Sequence, residues 1–222
     1  MKKNNIYFVV ILILVIGCNI GKNYSSSQVK GNGKSVSDIR RLSEFTEIEM
    51  NIGYDKITVN FGPEQSLEII GDENIVPIIK TKVINGVLTI SSDSSLQTEA
   101  ESEIIIYMES LKKFIFDGVG EAIIKKINEQ QFTCSLNGVG SCELSGSVVN
   151  FELSVNGVGS INAKELIGDK VVASLNGVGS AVVYATNSLN ASVNGIGGLT
   201  YYGDPEKLIL NDSGLGGISK GN

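Results

Sequence analysis

The chain has no histidine, and its only two arginines, Arg40 and Arg41, are neighbours that precede the repetitive part of the sequence. Losing histidine removes the commonest general base and the commonest zinc ligand together. The three cysteines, Cys18, Cys134 and Cys142, are spaced neither as a CxxC redox pair nor as a zinc site. Long apolar runs are missing too. The longest, Ile6 to Ile16, has 11 residues, where a membrane-spanning helix needs about 20. Basic clusters are absent and the formal net charge is −6, which excludes nucleic acid and anionic headgroups as electrostatic partners. No stretch carries helical periodicity over three turns.

What is present begins with an address. Lys2 and Lys3 precede the short apolar run IYFVVILILVI, the layout of a secretory signal. The run ends in Val15-Ile16-Gly17-Cys18, which resembles a bacterial lipobox. That resemblance implies cleavage after residue 17 and lipid attachment at Cys18, the new N-terminus; the alternative is an ordinary signal with a coincidental cysteine. Attachment to a membrane would then be by lipid. Residues 19–37 (NIGKNYSSSQVKGNGKSVS) are polar and rich in Gly, Ser and Asn, so residues 18–37 are expected to be a lipidated cysteine and flexible tether.

From residue 38 a single domain is expected, running to 222. In its first part, 38–113, short β-branched runs alternate at period two: ITVNF at 57–61, LEII at 67–70 and VLTI at 87–90. Asn85-Gly86 between two apolar runs predicts a tight hairpin. Residues 91–103 form an acidic excursion. In the second part, 114–222, one pentapeptide recurs: DGVGE at 117, NGVGS at 137, 156 and 176, NGIGG at 194 and SGLGG at 213, a spacing of about 19 residues.

Apolar residues flank each copy at period two: Phe132, Cys134 and Leu136 before one corner and Cys142 and Leu144 after it, with equivalents in the next copies. Each unit therefore reads as strand, sharp corner, strand. A lone unit has no partner layer, whereas stacked units pair in parallel about 4.8 Å apart. The fold class is all-β, a β-solenoid with coils of about 19 residues. Cys134 and Cys142 take core positions and are expected as buried free thiols, with a disulfide as the alternative.

The corner residues are Asp117, Gly118 and Gly120; Asn137, Gly138 and Gly140; Asn156, Gly157 and Gly159; Asn176, Gly177 and Gly179; Asn194, Gly195 and Gly197; and Gly214 and Gly216. Asn and Gly suit left-handed backbone angles, and stacking would bring the asparagines into an amide ladder begun by Asp117. The middle residues Val119, Val139, Val158, Val178, Ile196 and Leu215 have two possible positions. Strict alternation exposes them as an apolar stripe suited to an interface. A corner that breaks alternation tucks them into the core, and this is the favoured expectation.

Other readings of the glycines fit less well. A phosphate loop needs a following helix and a lysine, and strand-like residues follow here. A calcium column would use aspartates at a nonapeptide period. No metal and no cofactor are expected. Catalysis would need converging carboxylates or a nucleophile with its base, and the sparse charges of the coils, Glu143 and Glu152 among them, recur in no column.

The layout resembles the bacterial family of auto-transporter adhesins with a head GIN domain. The likeness rests on Phe45 to Ile48, the hairpin at 83–90, the run EIIIYMESLKKFIFDGVG at 103–120 and the tandem corners, and spans about residues 38–218. It implies a right-handed parallel β-helix in an exported or lipid-anchored protein. An auto-transporter also needs a C-terminal membrane barrel, and nothing after SGLGGISKGN would build one, so self-export is not expected. The expectation is a lipid-anchored envelope protein at the outer membrane or cell surface, or on its periplasmic face. It would be a non-enzymatic adhesin-like module taking a glycan or protein. The alternatives are a homo-oligomeric envelope scaffold and, more distantly, a polysaccharide-active enzyme.

Overall fold

The computed structural model describes residues 27–222; the proposed leader and Cys18 lie outside them. Seventeen strands follow one another: β1 (Gln28–Lys30), β2 (Ser35–Arg41), β3 (Glu47–Asn51), β4 (Gly53–Phe61), β5 (Ser66–Asp72), β6 (Lys80–Ile84), β7 (Val87–Ser91), β8 (Ser95–Gln97) and β9 (Glu103–Met108) form the first part. Then come β10 (Lys113–Phe116), β11 (Val119–Leu136), β12 (Val139–Val155), β13 (Val158–Leu175), β14 (Val178–Val193), β15 (Ile196–Tyr202), β16 (Lys207–Asp212) and β17 (Leu215–Lys220). Among the described residues a single 3-10 turn, Val76–Ile78, interrupts them.

The coils stack in parallel with equivalent residues in register, Val119 on Val139 on Val158 on Val178 on Ile196 on Leu215. Alternation then sends every second side chain inward. Phe132, Cys134, Leu136, Cys142, Leu144, Phe151, Leu153 and Val155 are all buried, as the period-two pattern requires. The Phe132 and Phe151 rings stack with centroids 5.8 Å apart. At about 1.5–3 kcal/mol per buried side chain against a similar entropic cost, each coil depends on its neighbours. Cys134 and Cys142 are free and buried.

Each coil has further bends that the glycine motif does not mark. Pairing slips between Ile124 and Ile127, between Glu143 and Ser145, and between Ala163 and Ile167. One of these bends forces Lys126 to φ 68° and another puts Gly146 at φ 133°.

The N-terminal end departs from sequential stacking. β3 lies between β7 and β10, and β4 lies between β9 and β11, so residues 47–61 form the coil beneath the first glycine corner. The chain then turns back in antiparallel ladders, β6 on β7, and β2 on β5 on β9. Asn85 and Gly86 take φ 51° and 77° and close the expected hairpin.

The tether is shorter than composition suggested. Residues 28–30 pair with β8, and 35–37 pair with β5. Asp72, fully buried, explains why a polar segment is ordered. Its Oδ1 accepts from Gly33 N at 2.6 Å, and its Oδ2 from Glu99 N at 2.9 Å and Ala100 N at 3.2 Å. Burial alone would raise this carboxyl's pKa, but donation from Glu99, Gly33 and Ala100 outweighs it and lowers it from 3.8.

Candidate functional site

The six glycine corners line up along one edge of the solenoid. Their two glycines are required for different reasons. The second glycine has positive φ in every copy, 154° at Gly140 and 148° at Gly159. The first has no such angle, yet a Cβ on Gly138 would lie 2.0 Å from the carbonyl oxygen of Gly118 one coil below. Among the described residues the only non-glycines with positive φ are Asn85 and Lys126, which corrects the expectation that the corner asparagines take left-handed angles. They serve the ladder instead.

That ladder is continuous and polarised. Ser213 Oγ donates to Asn194 Oδ1, Asn194 Nδ2 to Asn176 Oδ1, Asn176 Nδ2 to Asn156 Oδ1, Asn156 Nδ2 to Asn137 Oδ1, and Asn137 Nδ2 to Asp117 Oδ1. The distances run from 2.6 to 3.0 Å. A carboxylate accepts and cannot donate, so Asp117 is the terminus toward which every amide points.

Beside the ladder stand the middle residues. Val119, Val139, Val158, Val178, Ile196 and Leu215 are 45–73 % exposed. The favoured expectation of a tucked side chain is therefore overturned. Alternation holds through the corner: the middle residue points outward between two glycines, half-buried in most copies, whose backbones lie too close to the coil below for any Cβ. The outcome is an apolar stripe six coils long, flanked by amides and, at three corners, by Ser141, Ser160 and Ser180.

The edge also contains one corner that the sequence concealed. Asn51-Ile52-Gly53 lies under Asp117-Gly118-Val119: Met50 pairs with Phe116 and Gly53 with Val119. A Cβ on Gly118 would sit 1.8 Å from the Ile52 carbonyl oxygen. The only signal was an asparagine after the run FTEIEM, because both glycines of the repeat are missing here: Ile52 stands level with Gly118, and Gly53 stands level with Val119.

At this end the edge opens into a cleft of about 640 Å³, lined among others by Tyr54, Asp55, Asp93, Leu96, Asp117 and Val119. The acidic excursion thus forms one wall. Ser102 Oγ donates to Asp55 Oδ2 at 2.6 Å, and Asp93 pairs with Lys80. Elsewhere Glu143 pairs with Lys125 at 3.4 Å, while Glu152 lies near the other end of β12, beside Val172 of the next coil.

No curated protein matches the chain. A crystal structure of a putative adhesin from Bacteroides fragilis is 27 % identical with a TM-score of 0.72, covering 86 % of this chain and 99 % of that one. A second, of a putative lipid binding protein from Parabacteroides distasonis, is 22 % identical with a TM-score of 0.52, covering 88 % and 100 %, and speaks for the fold alone. The family model described as "Putative auto-transporter adhesin, head GIN domain" matches residues 44–205. The chain belongs to that family, as the tandem corners and the run before them indicate.

Proposed function

We propose that the chain is exported, lipidated at Cys18 and held on the bacterial envelope as a non-enzymatic, adhesin-like binding module whose contacting surface is the corner edge. The observation that carries this reading is the exposed stripe. A corner needs glycines on either side of its middle residue but nothing apolar at the outward position, and all six copies nevertheless place Val, Ile or Leu there. Continuous exposed apolar surface of this kind marks interaction sites. Membership of an adhesin family supports the same reading.

The ordered N-terminal arm sharpens the picture. Strand β1 begins at Gln28, so the residues after Cys18 could reach at most roughly 30 Å when fully extended. The domain would stand close to its anchor, with the N-terminal end nearest the membrane.

The test is protease treatment of intact cells, followed by adhesion measurements on cells carrying Val139→Lys, Val158→Lys and Val178→Lys together. Shaving of the domain with a periplasmic control left intact, and weakened adhesion in the variant, support the reading. Full protection confines the domain beneath the outer membrane and removes the adhesive role.

A further inference from the structure

We infer that the partner taken by the corner edge is a second copy of this chain, packed stripe to stripe with the two solenoid axes antiparallel about a two-fold. This rests on the corner edge being the binding surface and goes further by naming what binds there.

The repeat is the first argument. The stripe offers one aliphatic side chain per coil, at the spacing of about 4.8 Å set by parallel pairing. Another β stack has the same spacing, so every outward side chain can meet one opposite it over the whole length, as in dry contacts between stacked sheets. Charge is the second. From Asn137 to Leu215 the stripe and its flanking corner residues are all uncharged, within a chain of net charge −6. Two copies can therefore approach along this edge without the repulsion that their other faces would generate.

The direction follows from the ends and from the ladder. Asp117 and Glu121 flank Val119 at one end, whereas Ser213 and Gly217 flank Leu215 at the other. Parallel axes would set Asp117 and Glu121 against their own copies. Antiparallel axes set Asp117 level with Ser213 of the second copy and Glu121 level with its Gly217. The amides also point toward Asp117 all along the edge, so their dipoles oppose favourably only when the axes are antiparallel. The two-fold then falls between the levels of Val158 and Val178, and Val119 of one copy meets Leu215 of the other.

A single file of six half-exposed side chains is narrower than the ~800 Å² per partner of a standard interface, so each contact is weak. Antiparallel axes place the two N-terminal ends at opposite ends of the pair. With both copies lipid-anchored, that geometry joins facing membranes, where many weak contacts act together.

Sedimentation velocity of the chain from Asn19 onward, over rising concentration, tests this. A sedimentation coefficient that climbs toward a dimer is expected, with loss of the climb in Val158→Lys. The same climb is expected in Val172→Lys, which alters an exposed valine away from the stripe. A monomer at every concentration overturns the inference, as does a Val158→Lys variant that keeps its native circular dichroism and still dimerises. Direction is read by oxidative cross-linking without added charge. Val119→Cys mixed with Leu215→Cys should yield the mixed cross-link, and Val119→Cys joined to itself would mean parallel axes and overturn the arrangement. Because these measurements use purified protein, a monomer leaves stripe-dependent cell adhesion standing with another partner. Conversely, full protection from protease on cells defeats the surface reading while a measured dimer stands.

Discussion

Asn137 donates its side-chain N–H to Asp117 Oδ1 at 2.6 Å, and through that bond the amide ladder ends on a carboxylate. The direction of the ladder makes its members unequal. Asp in place of Asn156 would still accept from Asn176 but would face Asn137 Oδ1 with an acceptor, leaving two oxygens opposed. Asn156→Asp should lower stability by about 1 kcal/mol, and Asp117→Asn by less than half of that, because an amide oxygen can still accept there. Urea denaturation checks it, and equal losses would refute a directional ladder.

The two corner glycines should resist alanine for separate reasons. Gly138→Ala drives a Cβ to 2.0 Å from the Gly118 carbonyl oxygen, and Gly140→Ala adds a left-handed angle of 154° to a 1.9 Å approach to Gly120. Each should cost about 3 kcal/mol or more, the range of backbone clashes in a rigid stack. Thermal unfolding would show it. Gly33→Ala has positive φ but open space around its Cβ, so it should cost only about 1 kcal/mol.

Lys126 offers the reverse experiment. It holds φ 68° with a side chain that disfavours it, and the left-handed penalty is about 1–2 kcal/mol. Lys126→Gly should raise stability by about 0.5–1 kcal/mol after the entropic cost of glycine. A drop in melting temperature would show that the lysine stem contributes packing that outweighs the strain.

Acid should loosen the N-terminal arm first. Asp72 has its pKa lowered below 3.8 in the folded state, so its stabilisation is full above the unfolded value and is lost as pH falls through the folded one. Hydrogen exchange at Gly33, Glu99 and Ala100 should accelerate in that window relative to the coil strands. Asp72→Asn keeps one acceptor oxygen but turns its NH2 toward either the Gly33 N–H or those of Glu99 and Ala100, at a cost of about 1–3 kcal/mol at neutral pH. It should also flatten the acid dependence, and a variant that keeps the wild-type acid slope would locate the titration elsewhere.

Much of this molecule is legible in its residues, because a solenoid writes its architecture as a period. Alternation at 132–136, 151–155 and 171–175 fixed which side chains face the core, and the spacing of the corners fixed which residues stack. Val139 shows where local reasoning ends. Whether a corner keeps or breaks alternation depends on the coil beneath, since the Gly118 and Gly120 carbonyls come too close to Gly138 and Gly140 for any Cβ there, and Val139 between them points outside. The arm at 28–37 escaped for a similar reason. Its order comes from backbone bonds to Asp72, Asn74 and β8, which leave no apolar pattern to read. Nor does the sequence reveal that residues 47–61 lie beneath the first glycine corner, because the chain inserts 51 residues of hairpin and cap, 62–112, between two coils that touch. The amino-acid sequence by itself determined the repeat, its inward faces and its glycine corners, each a matter of neighbours within about 20 positions. Tertiary stacking alone decided the polarity of the ladder, the exposure of the stripe and the order of the first coils, because each depends on a backbone brought near from another turn.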